Sequence, residues 1–394
     1  MFLRLSCEAV PQNKKLYKVG RRDLVMKVNY KSWIILAIFV LLMVVVLLSK
    51  QFNGTGYPVM SEKCEECLVV YNLEEYLDQE VLSDFEKETG NKVQLVQFSA
   101  IDRLIAEFER DPSYPDLLIV DDFTLTLLKE KSLLLRLDHS NIPNAGNIDP
   151  KFLNLYFDPQ NEFSMPYLWG TTGIAYNSRF VDKVDSWSVL WDGRYSGKMA
   201  LISDSREIAS LALQKLGYSA NSQNPEELSE AIKDLENVKA DVVLPSLEIS
   251  SALVGNELYV AHCYNGEAYA AKLAKPDIMY VLPKEGGTFW IDNMVVSRYS
   301  GNREAAQEFM DFMLKPDVNA KNANTLKYAS PLSMNKVEGY LDPSLMNDPI
   351  IYPSQETMSK MELNRPFEVG SMYEQILEDY ILKKKSSFSI TTSI

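Results

Sequence analysis

From Leu68 onward the chain alternates short apolar runs with amphipathic stretches, and this alternation limits the possible folds more than any other feature. Leu68–Asn72 and Lys92–Phe98 read as strands, and Asp78–Thr89 reads as a helix with Val81, Leu82 and Phe85 on one face and Gly90 at its end. Ser99 is expected to cap a helix over Ala100–Arg110, with Ile101, Leu104, Ile105 and Phe108 as its apolar stripe. Leu117–Val120 is a buried-type strand ending in Asp121-Asp122, and Met199–Ser203 leads into a helix over Ser205–Leu216 that Gly217 stops. Asn224-Pro225 opens a helix over Glu226–Leu235. Strands follow at Leu258–Tyr264, Ile278–Leu282 and Phe289–Val296, then helices at Arg303–Leu314 and Val318–Leu326. Such alternation predicts an α/β fold with largely parallel sheets. At 394 residues, two or three domains are expected.

Unusual polar and aromatic residues gather just past the predicted strand ends: Leu73-Glu74-Glu75-Tyr76, Asp121, Asp204 and Tyr264. Open α/β sheets bind ligands in the crevice outside their carboxyl ends. Asp292 is a charged residue within the apolar strand FWIDNMVV, where an unpartnered carboxylate is costly. Each of these residues also has a plainer reading. Asp204-x-x-Glu207 fits a helix cap as well as a ligand contact. Glu74 and Glu75 fit solvated loop acids, while Phe123, Tyr264 and Trp290 fit core aromatics. His139 and His262 are expected to make structural hydrogen bonds, Cys263 to be core, and Gly286-Gly287 to form a turn. Cys64-Glu-Glu-Cys67 reads as a local disulfide or two idle thiols. No G-x-S-x-G, H-E-x-x-H or EF-hand pattern occurs, and no catalytic residue, metal site or cofactor is expected.

Charge divides the chain. Residues 1–50 carry nine basic and two acidic groups, so the remaining 31 basic and 52 acidic groups leave the body at −21 of the total −14. A body this acidic repels phosphate backbones and argues against nucleic-acid binding. Trp33–Leu48 is an uncharged apolar run of 16 residues, about 24 Å long as a helix. It fits either an export signal or an uncleaved membrane anchor, and the basic residues before it place the body outside. A start at Met26 gives a compact signal-like sequence, and Asn53-Gly54-Thr55 is a sequon with meaning only in a eukaryotic secretory setting. Residues 51–65 read as a linker.

Several separated segments together resemble the spermidine/putrescine-binding proteins, extracytoplasmic receptors of polyamine ABC transporters. They include VVYNLEEYLDQEVLSDFEKETGNKV (69–93), YPDLLIV (114–120), FDPQNEFSMPYLWGTTGIAYN (157–177) and SWSVLWDGRYSGKMALISDSRE (186–207). ALQKLGYSANSQNPEEL (212–228), YNGEA (264–268), LPKEGGTFWIDNMVV (282–296) and FMLKPDV (312–318) continue the series.

The resemblance implies a two-lobed periplasmic-binding-protein fold of type II, α/β, with a hinge. Lobe 1 is expected over 66–170 plus 291–336 and lobe 2 over 171–290 plus 337–394, with the hinge near Trp169–Gly173 and Thr288–Ile291. It also implies a cleft lined by Glu75, Tyr76, Asp121, Phe123, Asp204, Glu207, Tyr264, Trp290, Asp292 and Tyr328. Leu73 stands where the family has Trp, Tyr264 replaces another Trp, Phe123 a Tyr, and Asp121 a small hydroxyl residue. Pro366 replaces a polar contact, although Glu368-Val369-Gly370 keeps the local pattern. The implied protein is an extracytoplasmic, monomeric receptor that hands a polyamine to ABC permease subunits, with a membrane contact if 33–48 is retained. A receptor for another organic cation, or a membrane-anchored sensor on the same fold, are the alternatives; an enzyme is not expected.

Overall fold

The computed structural model describes residues 63–64, 66–240, 242–365 and 375–381. The readings at Met26, Trp33–Leu48, Asn53 and Pro366–Gly370 lie outside these residues. Among the described residues no helix is long and apolar enough to cross a membrane.

The chain runs β1 (Cys67–Leu73), α1 (Gln79–Thr89), β2 (Lys92–Phe98), α2 (Ile101–Arg110), β3 (Leu117–Val120) and α3 (Asp122–Glu130). After a stretch of 3-10 turns come β4 (Ser164–Asn177), β5 (Met199–Ile202), α4 (Ser205–Lys215), α5 (Pro225–Leu235), β6 (Val242–Leu244) and α6 (Ser246–Val254). Then follow β7 (Val260–Tyr264), α7 (Asn265–Ala274), β8 (Ile278–Val281), β9 (Gly287–Val296), α8 (Arg303–Met313) and α9 (Pro316–Leu326). Three single-turn helices and β10 (Met361–Leu363) complete the elements. Asp78 caps α1 through the Glu80 amide, and Gly90 ends it in the left-handed region at φ 79°. Ser99 does not cap α2: the N-cap is Ala100, which has no side-chain cap bond.

The strands join in the order β2-β1-β3-β9-β4-β7-β5-β6, with β10 beside β9 and β8 beside β4. The sheet is mixed, not largely parallel. Strands β1, β2 and β3 pair in parallel, as do β5, β6 and β7, but β3–β9, β9–β4 and β4–β7 are antiparallel. The two long strands β4 and β9 cause the difference, because each passes from one parallel group to the other. The register then fixes where the groups meet. Val120, at the end of β3, lies opposite Asn293, and Tyr264, at the end of β7, lies opposite Thr172, which itself faces Thr288. The carboxyl ends of both groups therefore converge on residues 288–293 of β9.

The apolar core divides in the same way. One cluster contains Val70, Ile119, Tyr167, Ile291, Phe309 and Met310; others contain Leu201, Leu211, Leu213 and Val260, or Ile202, Ile249 and Ala261. Val337, Leu341, Leu345, Ile350 and Ile351 pack in the first cluster, although that stretch was expected with 171–290. Leu377 and Ile381 pack in the second. Cys64 and Cys67 form a disulfide at the entry to β1, and Cys263 is a buried thiol.

Candidate functional site: an acid-and-ring box at the strand ends

The middle of β9 supplies the centre of the box. Alternation along the strand presents Trp290 and Asp292 to the same face. Trp290 meets Tyr264 edge-on at 5.5 Å and Tyr328 at 5.1 Å, and Tyr328 meets Tyr76 at 5.9 Å. Tyr76 continues to Tyr167 at 5.6 Å. Tyr76 donates its hydroxyl to Asp292 Oδ2 at 2.6 Å, and Tyr167 donates to the Tyr76 carbonyl at 3.1 Å. These rings form flat apolar walls with a carboxylate set among them.

Two glycines allow the walls to close. A Cβ on Gly170 would stand closer than 3.0 Å to the Trp290 ring, and one on Gly266 would meet the Tyr328 ring just as closely. Gly266→Ala should therefore displace Tyr328, with a strain of about 1–3 kcal/mol shared between binding and stability. A fall in ligand affinity larger than the fall in unfolding free energy checks this. Tyr328 is fixed further by donating to the buried Glu267 carboxylate at 2.8 Å.

Helix α4 brings the second group of acids. Asp204 is its N-cap and accepts from the amides of Arg206 and Glu207, so half of the expected capping box is present. The reciprocal half is absent. Glu207 turns away from the Asp204 amide and accepts from Thr288 Oγ1 at 2.6 Å and Asn364 Nδ2 at 3.1 Å. Asp204 also accepts from the Tyr264 hydroxyl at 3.2 Å. At the end of β3, Asp121 caps α3 through the Thr124 amide, and Asp122 accepts from Tyr156 at 2.7 Å.

Arg206 joins the two acid groups. Its guanidinium lies 3.3 Å from Asp121, 3.6 Å from Asp122 and 3.5 Å from Asp204, and 5.1 Å above the Phe123 ring.

The electrostatics leave three carboxylates without a cation: Asp292, Glu207 and Glu267, the last raised by burial although Tyr328 donates to it. Burial raises Asp292 to about 7, against the lowering effect of the Tyr76 hydrogen bond. Burial and the nearby Asp204 raise Glu207 to about 7, although Thr288 and Asn364 donate to it. Asp122 rises to about 6 by burial, with Arg206 opposing. Buried acids satisfied only by neutral donors are where an incoming cation gains most.

Of the residues expected in the cleft, Tyr76, Asp292, Trp290, Tyr328, Tyr264, Asp204, Glu207, Asp121 and Phe123 are linked through these contacts. Glu75 is not. It is exposed, with φ at 56°, and lines a separate groove of about 670 Å³ with Glu74, Asp78 and Glu80. Arg206, Tyr156, Tyr167, Glu267 and Asn364 were not singled out in the sequence, and Thr288 only as a hinge position. Only Arg206 carries a signal there, as a basic residue between two acids in the first turn of α4. His139 makes its expected bond, Nε2 to the Asn161 carbonyl at 2.9 Å. His262 does not: both ring nitrogens are buried without a partner, and burial lowers it to about 3. Among the described residues no cluster suited to a metal ion occurs.

A two-lobed α/β frame with acids and rings collected where two sets of strand ends converge defines a solute-binding protein. Residues 80–343 match the family of bacterial extracellular solute-binding proteins, and the chain belongs to it. It is 34% identical over 325 residues to the spermidine/putrescine-binding periplasmic protein of Escherichia coli, covering 81% of this chain and 91% of that one. It is 30% identical to the putrescine-binding periplasmic protein SpuD of Pseudomonas aeruginosa, covering 80% and 91%. The solved spermidine/putrescine ABC transporter substrate-binding protein PotD of Streptococcus pneumoniae superposes with a TM-score of 0.73 at 33% identity, covering 82% and 99%. The family is a transport component, not an enzyme family.

Proposed function

We infer that this chain is an extracytoplasmic receptor that binds a linear polyamine among Asp292, Glu207 and the surrounding rings, and delivers it to an ABC permease. The observation that carries the reading is the pair of carboxylates, half-buried Asp292 and buried Glu207, which have only neutral donors and stand by an aromatic wall. A polyamine has ammonium groups separated by methylene chains. Carboxylates bind the former by charge-assisted hydrogen bonds, and aromatic faces pack the latter while attracting cations by about 0.5–2 kcal/mol each. No acid–base pair around an electrophile site is needed for such binding, so no turnover is expected.

The lobes proposed are 66–170 plus 291–336 and 171–290 plus 337–394, with 337–351 lying against the first core. Closure would bend β4 and β9 where they run side by side, Trp169 opposite Ile291 and Thr172 opposite Thr288. The receptor is proposed to act as a monomer. Periplasmic placement follows the named relatives, and retention of 33–48 as an anchor would tether the receptor at the membrane.

Isothermal titration with putrescine, spermidine and spermine at two salt concentrations tests the reading. A saturable isotherm near 1:1 is expected for at least one amine. Flat traces for all three, with binding of another organic cation, would replace the polyamine.

A further inference from the structure

We propose that Arg206 is a built-in cation that determines specificity, occupying one end of the acidic cleft and thereby limiting how many ammonium groups the ligand can present. The assignment rests on the polyamine reading above. One guanidinium meets three carboxylates, Asp121, Asp122 and Asp204, at 3.3–3.6 Å. Its side chain is only 17% exposed, so this is not a solvated surface pair.

Every partner is held in place independently. Asp121 and Asp204 are helix caps, Asp122 is bound by Tyr156, and the Arg206 amide is itself a donor to Asp204. Phe123 lies beneath the guanidinium. The planar fork suits several carboxylates at once, whereas a flexible ammonium would have to be ordered first.

Charge balance gives the consequence. With Arg206 in place, the three aspartates are partnered, and the acids of the box left without a cation are Glu207, Asp292 and Glu267, the last already bound by the Tyr328 hydroxyl. A diamine or triamine suits so few acids. A further ammonium at Asp121, Asp122 or Asp204 would have to displace Arg206, and that would leave a guanidinium buried and unpaired.

The test compares putrescine and spermine affinities by titration calorimetry in the purified protein, in Arg206→Gln and in Arg206→Lys. Loss of the guanidinium should raise spermine affinity relative to putrescine by tenfold or more and steepen its salt dependence. Arg206→Lys, which keeps the charge, should hold the original ratio within a few-fold. If Arg206→Gln does not fold, the variant carrying Arg206→Gln with Asp121→Asn and Asp122→Asn removes the unpaired charge. That variant should still admit spermine more readily than the parent, through Asp204. An unchanged ratio in a folded Arg206→Gln or in the triple variant overturns the assignment. Flat titrations in the parent overturn the polyamine reading and this assignment with it. Binding in the parent together with an unchanged ratio overturns the assignment alone.

Discussion

Asp292→Asn lowers polyamine affinity by about thirty-fold or more while leaving the protein folded. The asparagine keeps an oxygen to accept from Tyr76 and nearly the same volume, so packing is preserved. What disappears is the negative charge facing the ligand, and truncating one partner of a desolvated charge pair costs about 2–5 kcal/mol. Much of that cost comes from the ammonium left unpaired among Trp290, Tyr328 and Tyr76. Glu207→Gln is expected to act similarly, because Thr288 and Asn364 can still be engaged by the amide. Calorimetry at fixed salt checks both, with thermal unfolding as the control. Parental affinity in either variant removes that residue from the site.

Polyamine affinity rises steeply with pH up to about neutrality. Asp292 and Glu207 are raised to about 7 in the empty box, so near that pH each holds a proton part of the time. Amines remain charged throughout this window, having pKa values near ~10. Binding must therefore displace the protons, and affinity falls about tenfold per pH unit for each group below its raised value. Asp121, Asp122, Asp204, Arg206 and the Tyr76 hydroxyl all face these two acids and set the midpoint.

Stability moves in the opposite direction. Both carboxyls lie above their ordinary values in the folded state, so the empty protein binds more protons folded than unfolded. Their contribution is present below the unfolded values and is lost as pH rises toward 7. The thermal shift produced by spermidine should accordingly be larger at pH 8 than at pH 5. Proton release measured in buffers of different ionisation enthalpy gives a second check. A pH-independent dissociation constant between those limits would show that both acids are already ionised in the empty cleft.

The local elements were legible where the physics is local. α1 shows its apolar stripe and both caps in sequence, and Asn224-Pro225 marks the start of α5. α3 was missed, because Asp121 was read as the end of a strand when it is also an N-cap. The antiparallel path of β4 and β9 was invisible, since an apolar run carries no sign of its direction. Asp292 stood out because a charge inside FWIDNMVV requires an explanation. Arg206 did not, because its partners Asp121 and Asp122 lie more than eighty residues away and a site for cations draws attention to its acids. Thr288, Asn364 and Glu267 are ordinary polar residues until the fold buries them against Glu207 and Tyr328. Gly170 and Gly266 show no backbone requirement in sequence; their need is for space, which only packing reveals.

The line of rings from Tyr167 through Tyr76 and Tyr328 to Trp290 and Tyr264 also has an optical meaning. Trp290 is the indole of that line; Trp187 and Trp191 lie with the second core, and Trp169 packs in the first against Phe152 and Tyr352. Excitation of these tyrosines is expected to reach Trp290, the indole that shares a strand face with Asp292, across ring distances of 5–6 Å. The receptor thus carries its own chromophore at the point of capture, and a colourless, ultraviolet-silent ligand becomes visible through the protein that holds it.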